Sequence, residues 1–433
     1  MNKYIVEPFL YRKIIIEKSE NIVINMTEPV FEKTIIESNV DGNPDISIFE
    51  YAKIMLIGGE FKLYYRGLID YNISWNLIRC TDTSTPYECF CLLTSEDGLN
   101  FKKINANLVN YKNSKNNNII RLDSFCHNFF PYYDKKTDLY IGISGTGLYN
   151  NGLFLFNSND GLKWDDGTKI IDTSKILPGY THPNHFDSHN SILYNEVESR
   201  YYLFVRHNKP EKRWVQYFYT KDFINFSYPQ EITVDNLTIS EHIYNIGAIN
   251  YPGNKELFIG MSMIGDEKEK KITLFSSKNL HDWQFNYETL FENIDESQKF
   301  IVNGIVPSTD NRKLYIYLFE DILEKKKKIN CYSFGMNRLQ KISCNDNSFG
   351  FIKTDLINLS NINIKVNFET FDDGFIQLEL INENFETVLI GKKMSGNELE
   401  LENKWDVECV FYTKKFYIKF IIFKANLYSF HYQ

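Results

Sequence analysis

The sequence predicts an all-β protein: a five-bladed β-propeller followed by a small C-terminal β-sandwich. Three observations predict it. A turn motif recurs about every sixty residues, and an aromatic strand recurs in phase with it. Both stop near residue 345, where a different β pattern begins.

The turn motif is clearest in "SEDGLNF" (95–101) and "SNDGLKW" (158–164), with weaker copies in "TKDFINF" (220–226) and "SKNLHDW" (277–283). Their starts lie 63, 62 and 57 residues apart. In the first two, Asp-Gly reads as a hairpin-type turn, since glycine takes a positive φ without steric cost. The strands in phase with it are "KLYYRG" (62–67), "DLYIGISG" (138–145), "RYYLFVR" (200–206), "ELFIGMSM" (256–263) and "KLYIYLFE" (313–320). Each follows a polar turn, so one unit reads strand, tight turn, strand, gap, strand, motif turn, strand. Five such units make five four-stranded blades, which close radially and leave few exposed edges.

The organisation follows. Residues 1–40 are expected to pack as an arm against blade one, and 41–345 form the propeller. Residues 346–433 form the sandwich, where "INIKVNFETFDDGFIQLELINENFETVLIG" (362–391) alternates on a period of two around an Asp-Asp-Gly turn.

Composition narrows the function. The 433 residues include 29 Tyr and 34 Phe, which suit strands and the stacking walls of sugar sites. A net charge of −8 comes without a basic stripe, and "EKKKKI" (324–329) reads as a hairpin tip, so nucleic acid is not an expected partner. No apolar run has the length of a membrane span, and the first twenty residues lack a signal-peptide pattern. Seven scattered cysteines (Cys80, Cys89, Cys91, Cys126, Cys331, Cys344 and Cys409) have no C-x-x-C pair and suit a reducing compartment. The expectation is a cytoplasmic protein of undetermined oligomeric state, without a cofactor and without membrane contact.

Polar residues gather at one structural level, 10–15 residues upstream of each blade's second strand. They are Glu50 in blade one, then Asp123, His127 and Asn128 in blade two. Blade three places Asp187, Ser188, His189 and Asn190 there, blade four Glu241, His242 and Asn245, and blade five Asn303. In a propeller these positions converge on the central funnel. "HPNHFDSHN" (182–190) holds His182, His185, Asp187 and His189, which are zinc-ligand types. On a strand, alternate residues lie about 6–7 Å apart, too far for one ion, so no metal is predicted.

Glycoside cleavage uses two carboxyl groups, one a proton donor and the other an ionised base or nucleophile. Asp187 and Glu241, on adjacent blades, are the leading pair: Asp187 the base or nucleophile, Glu241 the acid. Asp123 and Glu50 stand in reserve, with Asp45 behind them. The bland alternative is that such carboxylates cap turns or pair with arginine. His127, Asn128, His189, Asn190, His242, Asn245 and Asn303 are expected to bind sugar hydroxyls. Arg66 and Arg206 either clamp an anionic group or form structural ion pairs.

With "KLYYRG", "HNFFPYYD", "FDSHNSILYN…YYLFVR" and "EHIYNIGAINYPG" in this order, the chain resembles the furanosidase-type propeller glycoside hydrolases. That grouping holds the β-fructosidases and the arabinofuranosidases, and the likeness is nearest to a bacterial branch with a C-terminal β-sandwich. The resemblance spans residues 40–395 and implies a glycoside hydrolase acting on a bacterial oligo- or polysaccharide. Glycosyl transfer, phosphorolysis and non-catalytic glycan binding remain open on the same scaffold. The N-D-P-N-G, R-D-P and E-C segments of the characterised families are absent; "GNPDIS" (42–47) matches the first only through Asp45.

Overall fold

The computed structural model describes residues 4–39, 47–68, 88–146, 151–177, 185–209, 212–235, 237, 241–265, 270–292, 297–322, 326–345, 348–405 and 415–433. Five blades of antiparallel strands follow one another, the first and the last joined in one nine-stranded sheet. Blade one holds Ser47–Ile57, Glu60–Leu68, Glu88–Ser95 and the short Lys102–Lys103. Blade two holds Phe130–Asp134, Leu139–Ser144, Gly152–Ser158 and Thr168–Asp172. Blade three holds Ser191–Asn195, Arg200–Asn208, Arg213–Thr220 and Gln230–Glu231. Blade four holds Gly247–Tyr251, Asn254–Gly265, Lys270–Ser277 and Asp282–Glu292. The first strands form a closed ring, each beside the next, and blade five returns to blade one where Asn303 pairs in parallel with Lys53.

Blade five supplies Ser297–Pro307, Lys313–Ile322 and Lys326–Gly335; its outer strand is Val30–Asn39, from early in the sequence. Here the structure differs from the arm expected against blade one. An unpaired strand edge exposes a row of donors and acceptors, and the β-branched "VFEKTIIESN" segment covers that edge, tying first blade to last. The basic run enters the third strand instead of standing at a tip, with Lys328 near Glu320 at 3.5 Å and Lys327 near Asp321 at 3.6 Å.

Between neighbouring blades lie five separate apolar clusters, and a sixth fills the C-terminal module. The aromatic content is spent here: Trp283, Tyr64, Tyr317, Phe61, Phe90, Phe129 and Phe156 are all fully buried. Each such ring contributes about 2–3 kcal/mol by leaving water.

The recurring motif is a side-chain-braced bend that ends the third strand of blades one to four. Ser95 Oγ accepts from Gly98 N at 3.0 Å, while Asp97 Oδ1 accepts from Leu99 N and Asn100 N at 2.8 and 2.7 Å. Ser158 and Asp160, Thr220 and Asp222, and Ser277 and Asn279 repeat this pattern. The fourth motif residue has a positive φ in every copy: Gly98, Gly161, Phe223 and Leu280. Glycine stands where a tyrosine from the preceding blade docks, with Tyr317 Oη donating to Gly98 O at 2.8 Å and Tyr64 Oη to Gly161 O at 3.2 Å. A Cβ on Gly161 would lie 2.5 Å from Tyr64 Oη. Gly161→Ala therefore combines a left-handed backbone with a clash, and is expected to cost about 2–3 kcal/mol in urea unfolding. Loss of less than about half a kcal/mol would refute the docking argument.

The C-terminal module is one ten-stranded sheet around its own core. Its two long strands, Lys365–Ile381 and Lys415–Tyr432, run antiparallel. Ile5–Glu7, Ile15–Lys18 and Ile22–Met26 join the same sheet. "FDDGF" is not a hairpin turn. It is a bulge inside the first long strand, where the register shifts between Thr370 and Phe375 and Asp372 has a φ of 50°. At Gly374 a Cβ would lie 2.2 Å from Lys424 O, so the bulge requires glycine there. Among the described residues no helix is long and apolar enough to cross a membrane.

Candidate active site

The segments before the first strands of blades two, three and four touch, with His127 Nε2 at 2.9 Å from Asp187 Oδ1 and Ser188 Oγ donating to Tyr244 O at 3.2 Å. Arg66 and Glu88 face each other within blade one. In the antiparallel register Leu68 opposes Glu88, which places Arg66 diagonally across on the same face. Arg66 is 0% exposed, and its Nη2 donates to Glu88 Oε1. His127 ends a 3₁₀ turn, Ser124–His127, that Asp123 caps by accepting from Phe125 N at 2.8 Å. Its ring bridges two carboxylates, with Nδ1 at 3.2 Å from both Glu88 oxygens and Nε2 at 2.9 Å from Asp187 Oδ1. Arg206 Nη1 lies 4.0 Å from Asp187 Oδ2, and its guanidinium covers the Tyr244 ring at 4.6 Å.

These charges fix one another's protonation. Burial pushes the Glu88 carboxyl up, but Arg66 and His127 overcome it and hold it down at about 2. Burial and Arg66 both oppose a proton on His127, yet Glu88 and Asp187 outweigh them and raise it to about 9. Asp187 is likewise opposed by burial but held well below the usual carboxylate range by His127, then Arg206 and Arg66. At neutral pH the arrangement is carboxylate, imidazolium, carboxylate.

The site is held by strained and satisfied groups. Phe186, just before Asp187, has a φ of 62°, and Tyr51, in a bulge of blade one's first strand, has a φ of 70°. Two bulky residues in the left-handed region beside one cluster mark a locally over-determined backbone. Asn128 Nδ2 donates to Gly145 O, Phe186 O and Ser188 O at 3.0, 2.8 and 3.0 Å, which fastens the Asp187 loop to blade two. Asn190 Oδ1 accepts from Arg206 N at 3.3 Å. Tyr51 Oη and Tyr244 Oη meet at 2.7 Å, joining blade one to the loop before blade four. The Tyr51 ring stacks on His189 at 5.4 Å. His189 is buried, with Asn303 Nδ2 at 2.5 Å from its Nδ1. Burial and then Lys53 depress its pKa to about 3, against a hydrogen bond to the Phe129 backbone.

The structure thus brings together Arg66, His127, Asp187, His189, Arg206 and Asn303 from the sequence-level set. Asn128 and Asn190 bond protein groups, so their place is in positioning the Asp187 loop. Asp123 is occupied as a cap and by Arg121 Nε at 2.7 Å. Glu241 lies near Lys212, and His242 Nδ1 accepts from Arg213 N at 3.3 Å. Asn245 is half-buried in the loop that carries Tyr244. Glu50 falls within Ser47–Ile57, but its side chain, like Asp45 and His182, lies outside the described residues. No group of three or more His, Cys, Asp or Glu positioned for a metal occurs among the described residues. Sequence reasoning missed Glu88, Tyr51, Lys53 and Tyr244. A signal existed for Glu88: a carboxylate opens the otherwise apolar "ECFCLL", in register with an arginine strand.

No family model and no curated protein matches the sequence. Among solved structures, a complex of BT0996 with RGII is similar at a TM-score of 0.50 and 10% identity, over 71% of this protein and 92% of that one. An N-acetylgalactosamine deacetylase from F. plautii, in complex with blood group B trisaccharide, gives a TM-score of 0.45 at 10% identity, over 72% and 95%. A family 43 arabinoxylan arabinofuranohydrolase from Bacillus subtilis, in complex with cellotetraose, gives 0.43 at 10% identity, over 89% and 96%. At these identities the likeness is one of fold.

Proposed function

We propose that this propeller is a glycoside hydrolase that cleaves a bond in a bacterial oligo- or polysaccharide. One observation carries the reading. Asp187 is 25% exposed while its charge is held by His127 and Arg206. An ionised, aimed and reachable carboxylate is what either class of glycosidase needs as base or nucleophile. Glu241, from the adjacent blade's loop, is the acid in this reading, with Glu50 in reserve. The acid protonates the leaving oxygen. Asp187 either attacks the anomeric carbon or takes a proton from the attacking water. Residues 41–345 would supply the chemistry and 346–433 would brace it. The motif resemblance to furanosidase-type propellers supports the same class.

A second reading has one observation in its favour. The basic groups of the cluster suit an attacking phosphate, and hence phosphorolysis on the same scaffold.

A glycan panel rich in furanosides and acidic polysaccharides, followed by NMR with and without inorganic phosphate, tests both. New anomeric signals without phosphate are expected from wild type, and Glu241→Gln is expected to reduce their rate at least 100-fold. Products that appear only with phosphate would replace hydrolysis by phosphorolysis. Saturable glycan binding without turnover, unaffected by Glu241→Gln, would leave a glycan-binding propeller.

A further inference from the structure

We propose that the funnel binds an anionic group of its substrate, a carboxylate or a phosphate, through Lys53; this rests on the carbohydrate reading of the same site. Lys53 sits on blade one's first strand, at the point where the ring of first strands closes on Asn303 of blade five. It is only 6% exposed, and its Nζ lies over the Phe130 ring of blade two at 4.7 Å. His189 of blade three lies close enough for Lys53 to depress its basicity, and is itself neutral at pH 7. The Lys53 amine thus has an aromatic face and a neutral imidazole near it, with no carboxylate partner among the described residues.

A buried ammonium is costly without a counter-charge. Burial brings Lys53 down to about 7. Among the described residues the carboxylates of Glu88 and Asp187 pair with His127, Arg66 and Arg206. Low-dielectric walls around the Lys53 ammonium strengthen its field and favour anions over their neutral twins.

Carboxylate and phosphate share the chemistry, and titration distinguishes them. Purified full-length protein would be titrated calorimetrically at pH 7.5 with glucuronate, galacturonate, glucose 6-phosphate and inorganic phosphate. The neutral twins, glucose and galactose, run beside them. The expected result is at least tenfold tighter binding of one anionic class, with proton uptake as Lys53 becomes fully charged. Lys53→Met is expected to reduce the preference to within about twofold and abolish the uptake, while Lys53→Arg keeps the preference without the uptake. Neutral sugars that bind as well as their acidic twins would overturn the anion site and leave the carbohydrate reading standing. Lys53-dependent binding of phosphate with no sugar bound would do the reverse. An anion preference that survives Lys53→Met in folded protein, or no anion binding up to millimolar concentration, also overturns the proposal.

Discussion

Asp187→Asn is expected to lower kcat by a thousandfold or more while KM moves by less than about threefold. The reason lies in what the substitution keeps. Asparagine retains an oxygen that can accept from His127 Nε2, the contact that spans 2.9 Å. Asn128 still fastens the loop through the carbonyls of Phe186 and Ser188. What disappears is the negative charge in the funnel, and with it the base or nucleophile. Asp123→Asn is the matched control. Asp123 caps a 3₁₀ turn and pairs with Arg121; asparagine keeps the capping oxygen and loses only the part-exposed ion pair, so the replacement is expected to cost at most about 1 kcal/mol, with kcat within about threefold of wild type. If both variants lose activity alike, or Asp187→Asn retains more than a tenth of it, Asp187 is not the reacting carboxylate. Rescue of Asp187→Asn by azide would further point to a nucleophile, since a small anion can then take the vacated place at the anomeric carbon.

Much of the fold was legible because blades repeat. The sixty-residue spacing and the turn motif describe local chemistry, a Ser or Thr and an Asp or Asn bonding to backbone N–H groups two or three residues on. Local chemistry is written in short sequence windows. Ring closure was not, because pairing Val30–Asn39 with Lys326–Gly335 joins segments some three hundred residues apart. Nothing in either strand names its partner. The same limit explains "FDDGF": Asp-Asp-Gly reads as a turn from its residues alone, and only the facing Lys415–Tyr432 strand makes it a bulge. At the site, counting back from each second strand found Asp187, His127, His189 and Asn303, since the blade period places them at one level. Arg66 was expected as a clamp or an ion-pair residue, but its partner Glu88 was not, because it lies on a strand. There a charge looks like an outward-facing residue until the sheet's register sets it beside Arg66.

Glu88→Gln should be among the most destabilising single changes in the propeller, by about 3–5 kcal/mol, because it removes the carboxylate to which the buried Arg66 Nη2 donates. The same ion network gives stability a pH dependence with two limbs. Glu88 titrates at about 2 in the folded protein against an ordinary value of 4.5, so its stabilisation is complete above 4.5 and is lost as pH falls toward 2. His127 titrates at about 9 against 6.5, so its contribution is complete below 6.5 and is lost as pH rises toward 9. The contribution of these two groups is therefore flat between about pH 4.5 and 6.5 and declines on both sides; His189, depressed to about 3, and Lys53, depressed to about 7, titrate with the opposite sign, so the His127 limb is read as the difference between wild type and a variant that lacks the imidazole. The alkaline limb is worth at most about 3 kcal/mol. It does not add to the acid limb, because the His127–Glu88 contact contributes to both. His127→Gln removes the titrating group, so wild type should lose stability relative to the variant as pH rises from 6.5 to 9, while both keep an acid limb. Denaturation curves at pH 6, 7.5 and 9 for the two proteins decide the matter. If the alkaline slope persists unchanged in His127→Gln, the imidazolium bridge is not what holds Asp187 ionised, and the charge at the funnel must come from Arg206 and Arg66 alone.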